Sequence, residues 1–132
     1  MPDEPPRRRG LQGLRVLVVE DEILIAMLIE GFLQEFGCVV AATAARPDQA
    51  LRILEETAVD AAILDVNLDG SDSFGVAAAL CARGLPFVFA TGYRSTRLDP
   101  RFADRPVLAK PFQACDLEAA LVHCLAPDRP TA

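Results

Sequence analysis

Arg15-Val-Leu-Val-Val-Glu-Asp21 decides the fold: a short apolar run, the pattern of a strand buried on both faces, stops at two adjacent carboxylates. The next segment changes period. Over residues 21–36 the side chains of Ile25, Leu28, Ile29, Phe32, Leu33 and Phe36 gather on one side of a helix, and Gly37 stops it. The same alternation repeats down the chain. Strands are predicted at 38–43, 60–65, 86–91 and 106–109, and helices at 46–57, 74–83 and 113–125, with Pro47 in a first turn and Gly84 closing the third helix. Residues 68–73 read as a loop. Strands alternating with helices imply βαβ units and a parallel sheet covered on both faces.

One interval breaks the rhythm. Between the fourth and fifth strands, residues 92–105 carry Arg94, Arg97, Arg101 and Arg105 around Pro100, with Leu98 and Phe102 as the only sizeable apolar anchors. That is a poor amphipathic helix, and a loop with a turn or two is expected there.

The bulk properties agree with one apolar-cored domain. The chain has 132 residues, is 52% hydrophobic, and carries 13 Lys+Arg against 19 Asp+Glu, a net charge of −6. Such a composition is too apolar for disorder. An acidic balance argues against broad binding to a phosphate backbone, so nucleic acid is not an expected partner. The longest apolar run, 23–29, is far short of a membrane span, so no membrane association is expected. Residues 1–13, rich in proline and glycine with Arg7-Arg8-Arg9, read as a disordered leader, 14–126 as the domain, and 127–132 as a tail. The leader lacks the apolar core of a signal peptide, so export is not indicated and a cytoplasmic location is expected. Cys38, Cys81, Cys115 and Cys124 form no CxxC pair, and with only His123 beside them they complete no familiar zinc set. Four buried or partly buried free thiols are expected.

The chemistry rests on where unusual polar residues fall. Glu20-Asp21, Asp65, Thr91 and Lys110 each stand at the C-terminal end of an apolar strand. In an open parallel sheet those ends line the crevice where ligands bind. Three carboxylates brought that close cannot all stay ionised unaided. A hard divalent cation such as Mg²⁺ resolves the conflict. Asp65 can then act as a nucleophile toward a phosphoryl group, with Lys110 and the Thr91 hydroxyl facing the developing oxygens.

This set, with Lys110-Pro111-Phe112, resembles the receiver domain of two-component response regulators over about residues 14–126. The resemblance implies a flavodoxin-like, doubly wound five-stranded sheet in order 2-1-3-4-5, to which the 92–105 interval adds the expectation of a degenerate fourth helix. It implies Asp65 as phosphoacceptor and Mg²⁺ held by Asp21 and Asp65, by Glu20 mainly through water, and by the Asn67 carbonyl. Lys110 would pair with the phosphoryl group, the Lys110–Pro111 bond would be cis, and Thr91 would be the switch hydroxyl. Asn67 and Tyr93 occupy positions that tune dephosphorylation. Phe89-Ala-Thr-Gly-Tyr93 further resembles the Phe-Ala-Thr-Gly subgroup of alphaproteobacteria, whose members are often single-domain.

Two departures from the family pattern matter. Val107 stands where many receivers carry an aromatic switch residue, and the weak fourth helix removes a common dimer and output face. Phe112 reads as core, His123 as a surface or packing residue, and Asp69 and Asp72 as loop residues. A helical wheel turns Ile23, Leu24 and Met27 away from the core face, a cluster suited to docking on a kinase's helical bundle. The expected function is a single-domain phosphoacceptor served by a histidine kinase or histidine phosphotransfer protein. It would act by contact with an unknown downstream protein, by onward transfer or as a phosphate sink, since few residues come after the last helix. Two rivals carry other chemistry. A haloacid-dehalogenase-type phosphatase needs Asp-x-Asp at the first strand, whereas Asp65 lies on the third with Asn67 as its second neighbour. A flavodoxin-like ligand-binding domain needs a phosphate-accepting first turn, whereas Glu20-Asp-Glu-Ile23 has no glycine.

Overall fold

The computed structural model describes residues 11–68, 70–92, 100–102 and 105–125. In chain order the strands are β1 (Arg15–Val19), β2 (Val39–Ala44), β3 (Ala61–Asp65), the two-residue β4 (Asn67–Leu68) and β5 (Ser71–Asp72), β6 (Phe87–Thr91) and β7 (Val107–Ala109). Five of them form a parallel sheet in the order β2-β1-β3-β6-β7, the doubly wound topology expected from the sequence. Among the described residues four α-helices connect and cover it: α1 (Ile23–Glu35), α2 (Pro47–Glu56), α3 (Phe74–Ala82) and α4 (Ala114–Leu125).

Strict alternation along the strands divides the core into two layers. Val16, Val18 and Ile63 face one side, where Ile29 and Leu33 of α1 and Leu117 and Leu121 of α4 close over them. Leu17, Val19 and Leu64 face the other, against Leu54 of α2 and Val76 and Leu80 of α3. Each such side chain, fully removed from water, contributes about 1.5–3 kcal/mol before entropy is counted. The two layers explain why β1 and β3 read as continuous apolar runs rather than alternating ones.

Phe102 anchors the described part of the segment between β6 and β7. It lies in a single 3-10 turn, Pro100–Phe102, and is buried among Phe74, Phe87 and Phe89 at ring-centroid distances of 5.9–6.0 Å. Arg105 stacks over Phe87 from the other end of the segment, 4.8 Å from the ring centroid. Among the described residues the degenerate fourth helix is therefore one turn with an aromatic plug. Arg94 and Arg97 lie outside the described residues.

Several expectations need correction. The packed chain starts before residue 14: Leu11 is completely buried, and the Gly13 amide donates to the Gly37 carbonyl at 2.8 Å. Gly37 has φ +87°, the left-handed conformation that favours glycine, while the Gln12 side chain a Cβ there would meet is exposed and free to move. The 68–73 loop contains an antiparallel hairpin of β4 with β5, turned at Gly70 with φ +92°. Leu28 faces outward rather than into the core. Two of the four thiols, Cys81 and Cys115, are exposed, while Cys38 and Cys124 are buried. Burial pushes the Cys38 thiol up to about 11.

Candidate functional site

The parallel register aligns the strand ends. β1 pairs β3 through Val19 and Leu64, β3 pairs β6 through Asp65 and Ala90, and β6 pairs β7 through Thr91 and Ala109. The residue after each of these positions, or the last of the strand, is therefore delivered to one edge of the sheet. Glu20 and Asp21 come directly after β1, Asp65 ends β3, Thr91 ends β6 and Lys110 comes directly after β7. The backbone locks this edge: the Lys110 amide donates to the Thr91 carbonyl at 2.8 Å, and the Val66 amide to the Ala90 carbonyl at 2.9 Å.

Side chains converge as the register demands. Oxygen atoms of Glu20, Asp21 and Asp65 lie within 4.8 Å of one another. Lys110 Nζ reaches into the cluster, 2.8 Å from Glu20 Oε1 and 3.0 Å from Asp65 Oδ2. The Lys110–Pro111 bond is cis. Phe112 is buried in the α1/α4 layer, as its reading as core requires. Two backbone amides also donate to the carboxylates: Asn67 to Asp65 Oδ1 and Glu22 to Glu20 Oε2, both at 3.2 Å.

Glu20 and Asp65 are nearly sealed from solvent, at 3% and 6% exposure. Burial pushes the Glu20 carboxyl up to about 7, the hydrogen bond from Lys110 acts against this, and the neighbouring Asp65 charge adds to it. Burial alone would lower the Lys110 ammonium, but its hydrogen bonds to Glu20 and Asp65 outweigh that and raise it. One ammonium thus serves two buried carboxylates beside a third. The donor set is all oxygen and carries an uncompensated negative charge, which fits a hard divalent cation such as Mg²⁺.

The remaining expected site residues divide between the rim of this edge and the outer surface. Thr91 sits half-buried at the rim. Val107 is exposed on edge strand β7, so the position lacks an aromatic and also lacks cover. Ile23, Leu24 and Met27 project from α1, 60–80% exposed, and Leu28 joins them at 45%. Tyr93 and Asp69 lie outside the described residues. Asp72 does serve the loop, accepting from the Phe74 amide at 3.1 Å at the start of α3. Sequence reasoning missed Glu22, whose Oε1 is 3.9 Å from Lys110 Nζ. Its place next to Asp21 was the available signal.

Comparison with known proteins agrees with this geometry. The family model described as "Response regulator receiver domain" matches residues 16–122. The positive alginate biosynthesis regulatory protein of Pseudomonas aeruginosa is 31% identical over 123 residues, covering 88% of this chain and 49% of that protein. The chain spans about half the length of the curated relatives it matches over most of its own length. Among solved structures, SdrG from Sphingomonas melonis is 47% identical with a TM-score of 0.79, covering 86% of this chain and 97% of that one. The BeF3-activated conformation of SdrG, from Pseudomonas melonis, is 48% identical with a TM-score of 0.71, covering 81% and 92%. The structural neighbours include alphaproteobacterial receiver domains, in line with the Phe89–Tyr93 tag.

Proposed function

The chain belongs to the response regulator receiver domain family of two-component signalling, and from that premise we propose that Asp65 is its phosphoacceptor. One observation carries the proposal: a nearly buried Asp65 carboxylate stands at the end of β3 with an ammonium 3.0 Å away and two further carboxylates beside it. A carboxylate oxygen of Asp65 attacks the phosphorus of a phosphoimidazole or a small acyl phosphate. The new O–P bond forms as the N–P or O–P bond to the donor breaks, and the donor leaves with its electron pair.

Glu20, Asp21 and Asp65, with the Asn67 carbonyl, are the groups that would hold Mg²⁺. When bound, the ion neutralises charge on the phosphoryl oxygens. Lys110 is already positioned by Asp65 and Glu20 and can turn its ammonium to a phosphoryl oxygen once Asp65 Oδ2 is esterified. Thr91, on the neighbouring strand, offers a hydroxyl to another. Asn67 and Tyr93 would tune hydrolysis, and Val107 leaves the switch without a coupled aromatic ring. The outward face of α1, with Ile23, Leu24 and Met27, would dock the helical bundle of a histidine kinase or phosphotransfer protein. Signal output by protein contact, onward transfer or phosphate sequestration in the cytoplasm belongs to the same proposal. No helix among the described residues is long and apolar enough to cross a membrane.

Beryllofluoride, a phosphoryl mimic named in the structure of the SdrG relative, tests the pocket without depending on adduct lifetime. Bound-fluoride resonances should appear with Mg²⁺ and vanish in Asp65→Asn. Equal signals from the two proteins would remove Asp65 from its role.

A further inference from the structure

Continuous with the acidic cluster through Glu20 and Asp21, a cavity opens on the β2 side of β1, between α1 and the turn from β2 to α2. It holds about 260 Å³, the space of roughly eight waters and so of one long side chain. Its walls are of two kinds. Ile23 and Met27 of α1 bring it into continuity with the exposed apolar face of that helix. Glu20, Asp21 and Glu30 supply carboxylates, the first two shared with the acidic cluster, and Thr43 and Gln49 supply neutral polar groups. Among the described residues lining it there is no lysine or arginine.

The helical spacing explains why these features meet. Ile23, Met27 and Glu30 are separated by four and three positions, so they stack on one stripe of α1. The stripe is apolar over its first two turns, at Ile23 and Met27, and acidic one turn later at Glu30. Glu30 is held in place from β2: Thr43 Oγ1 donates to Glu30 Oε2 at 2.8 Å. The Gln49 side chain is likewise fixed, its Oε1 accepting from the Ala45 amide at 2.9 Å. Every charged residue of α1 is acidic, and Glu22 adds another exposed carboxylate just before the helix. An anionic or neutral apolar partner would leave the Glu30 charge partly desolvated and without a countercharge on docking, which is costly.

We propose that the partner covering the α1 face is an amphipathic protein helix carrying a lysine or arginine, and that this side chain enters the cavity to pair with Glu30. The proposal rests on the reading of the chain as a receiver that docks a helical protein, and it adds the chemistry that selects the partner. Leu24, Met27 and Leu28 supply apolar contact, which is indifferent to sequence. Glu30 and the cavity supply discrimination, since complementary charge specifies more than it binds.

The test uses the full chain and two synthetic amphipathic helices with the same leucine stripe, one flanked by arginine and one by glutamate. Fluorescence anisotropy should show the arginine helix binding at least about tenfold more tightly. Glu30→Gln, which keeps an acceptor for Thr43, should remove most of that preference. Glu55→Gln on exposed α2 changes net charge equally and should leave it intact. Equal binding of both helices, or of neither, overturns the proposal. So does equal weakening by Glu30→Gln and Glu55→Gln, which would mean diffuse attraction to an acidic protein. Sedimentation showing that the free chain self-associates, with Met27→Glu dissociating it, would assign the face to a second copy instead. Phosphorylation of the same samples by acetyl phosphate reads the underlying function separately. Label uptake with no helix preference condemns only the cavity, and no uptake condemns only the receiver reading.

Discussion

The bodies of β1 and β3 and their C-terminal tips are made from the same strands and do opposite work. Val16 to Val19 and Ala61 to Leu64 are all but completely buried and apolar. One residue further on, Glu20 and Asp65 are just as buried, but charged. Burial stabilises the first group through loss of apolar surface and opposes the second through loss of hydration. The contrast teaches that the fold tolerates an electrostatically unfavourable edge because the strand bodies behind it are strongly favourable. It also explains why the tips are available for chemistry: a group that burial holds away from its preferred state is one that a cation or a phosphoryl group can bind with effect.

The largest expected effect breaks the strand body. Ile63→Ala, in the α1/α4 layer, should destabilise the protein by about 2–5 kcal/mol in denaturant titration. A cost under about 1 kcal/mol would mean that the β3 body is not the support claimed for it.

The tip should respond with the opposite sign. Glu20 has a folded-state pKa raised from 4.5 to about 7. Its contribution to stability is therefore fully present below pH 4.5 and lost as pH rises toward and through 7. In chelator, wild-type stability should fall across that window, and Glu20→Gln should flatten the fall. At pH 8 the variant should then be the more stable protein, by an amount on the order of 2–3 kcal/mol. Saturating Mg²⁺ should stabilise wild type more than the variant, most clearly at the alkaline end. A pH profile unchanged by Glu20→Gln would show that the edge is not under the strain described.

The smallest effect concerns a buried hydroxyl at the base of the hairpin. Ser73 is completely buried and its Oγ has no hydrogen-bond partner among the described residues, while its amide donates to the Val66 carbonyl at 3.1 Å. Ser73→Ala should be neutral or slightly stabilising, within about 1 kcal/mol of zero. A loss of about 2 kcal/mol would reveal a hydroxyl contact.

Much of this contrast is legible in the chain. Local periodicity gives the strand bodies, and the abrupt change from Val19 to Glu20 or from Leu64 to Asp65 marks the tips, because a parallel sheet forces strand ends to one edge. The features that escape depend on tertiary neighbours. Leu11 reads as part of a proline-rich leader, and only its packing beside α1 and α4 shows otherwise. Leu28 falls near the core side of an ideal wheel, yet α1 meets the sheet along the Ala26, Ile29 and Leu33 stripe, leaving Leu28 outside. The hairpin at 67–72 has only two residues per strand, too few for alternation to register. The cavity at Glu30 joins a helix to a turn beyond another strand, so no single window of sequence contains it.

The most direct test of the central claim is intact mass after incubation with Mg²⁺ and acetyl phosphate, run beside Asp65→Asn and a chelated sample. The account predicts one added phosphoryl group on the wild-type chain with Mg²⁺ and none on either control. A phosphoryl group that persists in Asp65→Asn, or a wild-type chain that stays unmodified while its pocket also fails to bind beryllofluoride, would contradict it.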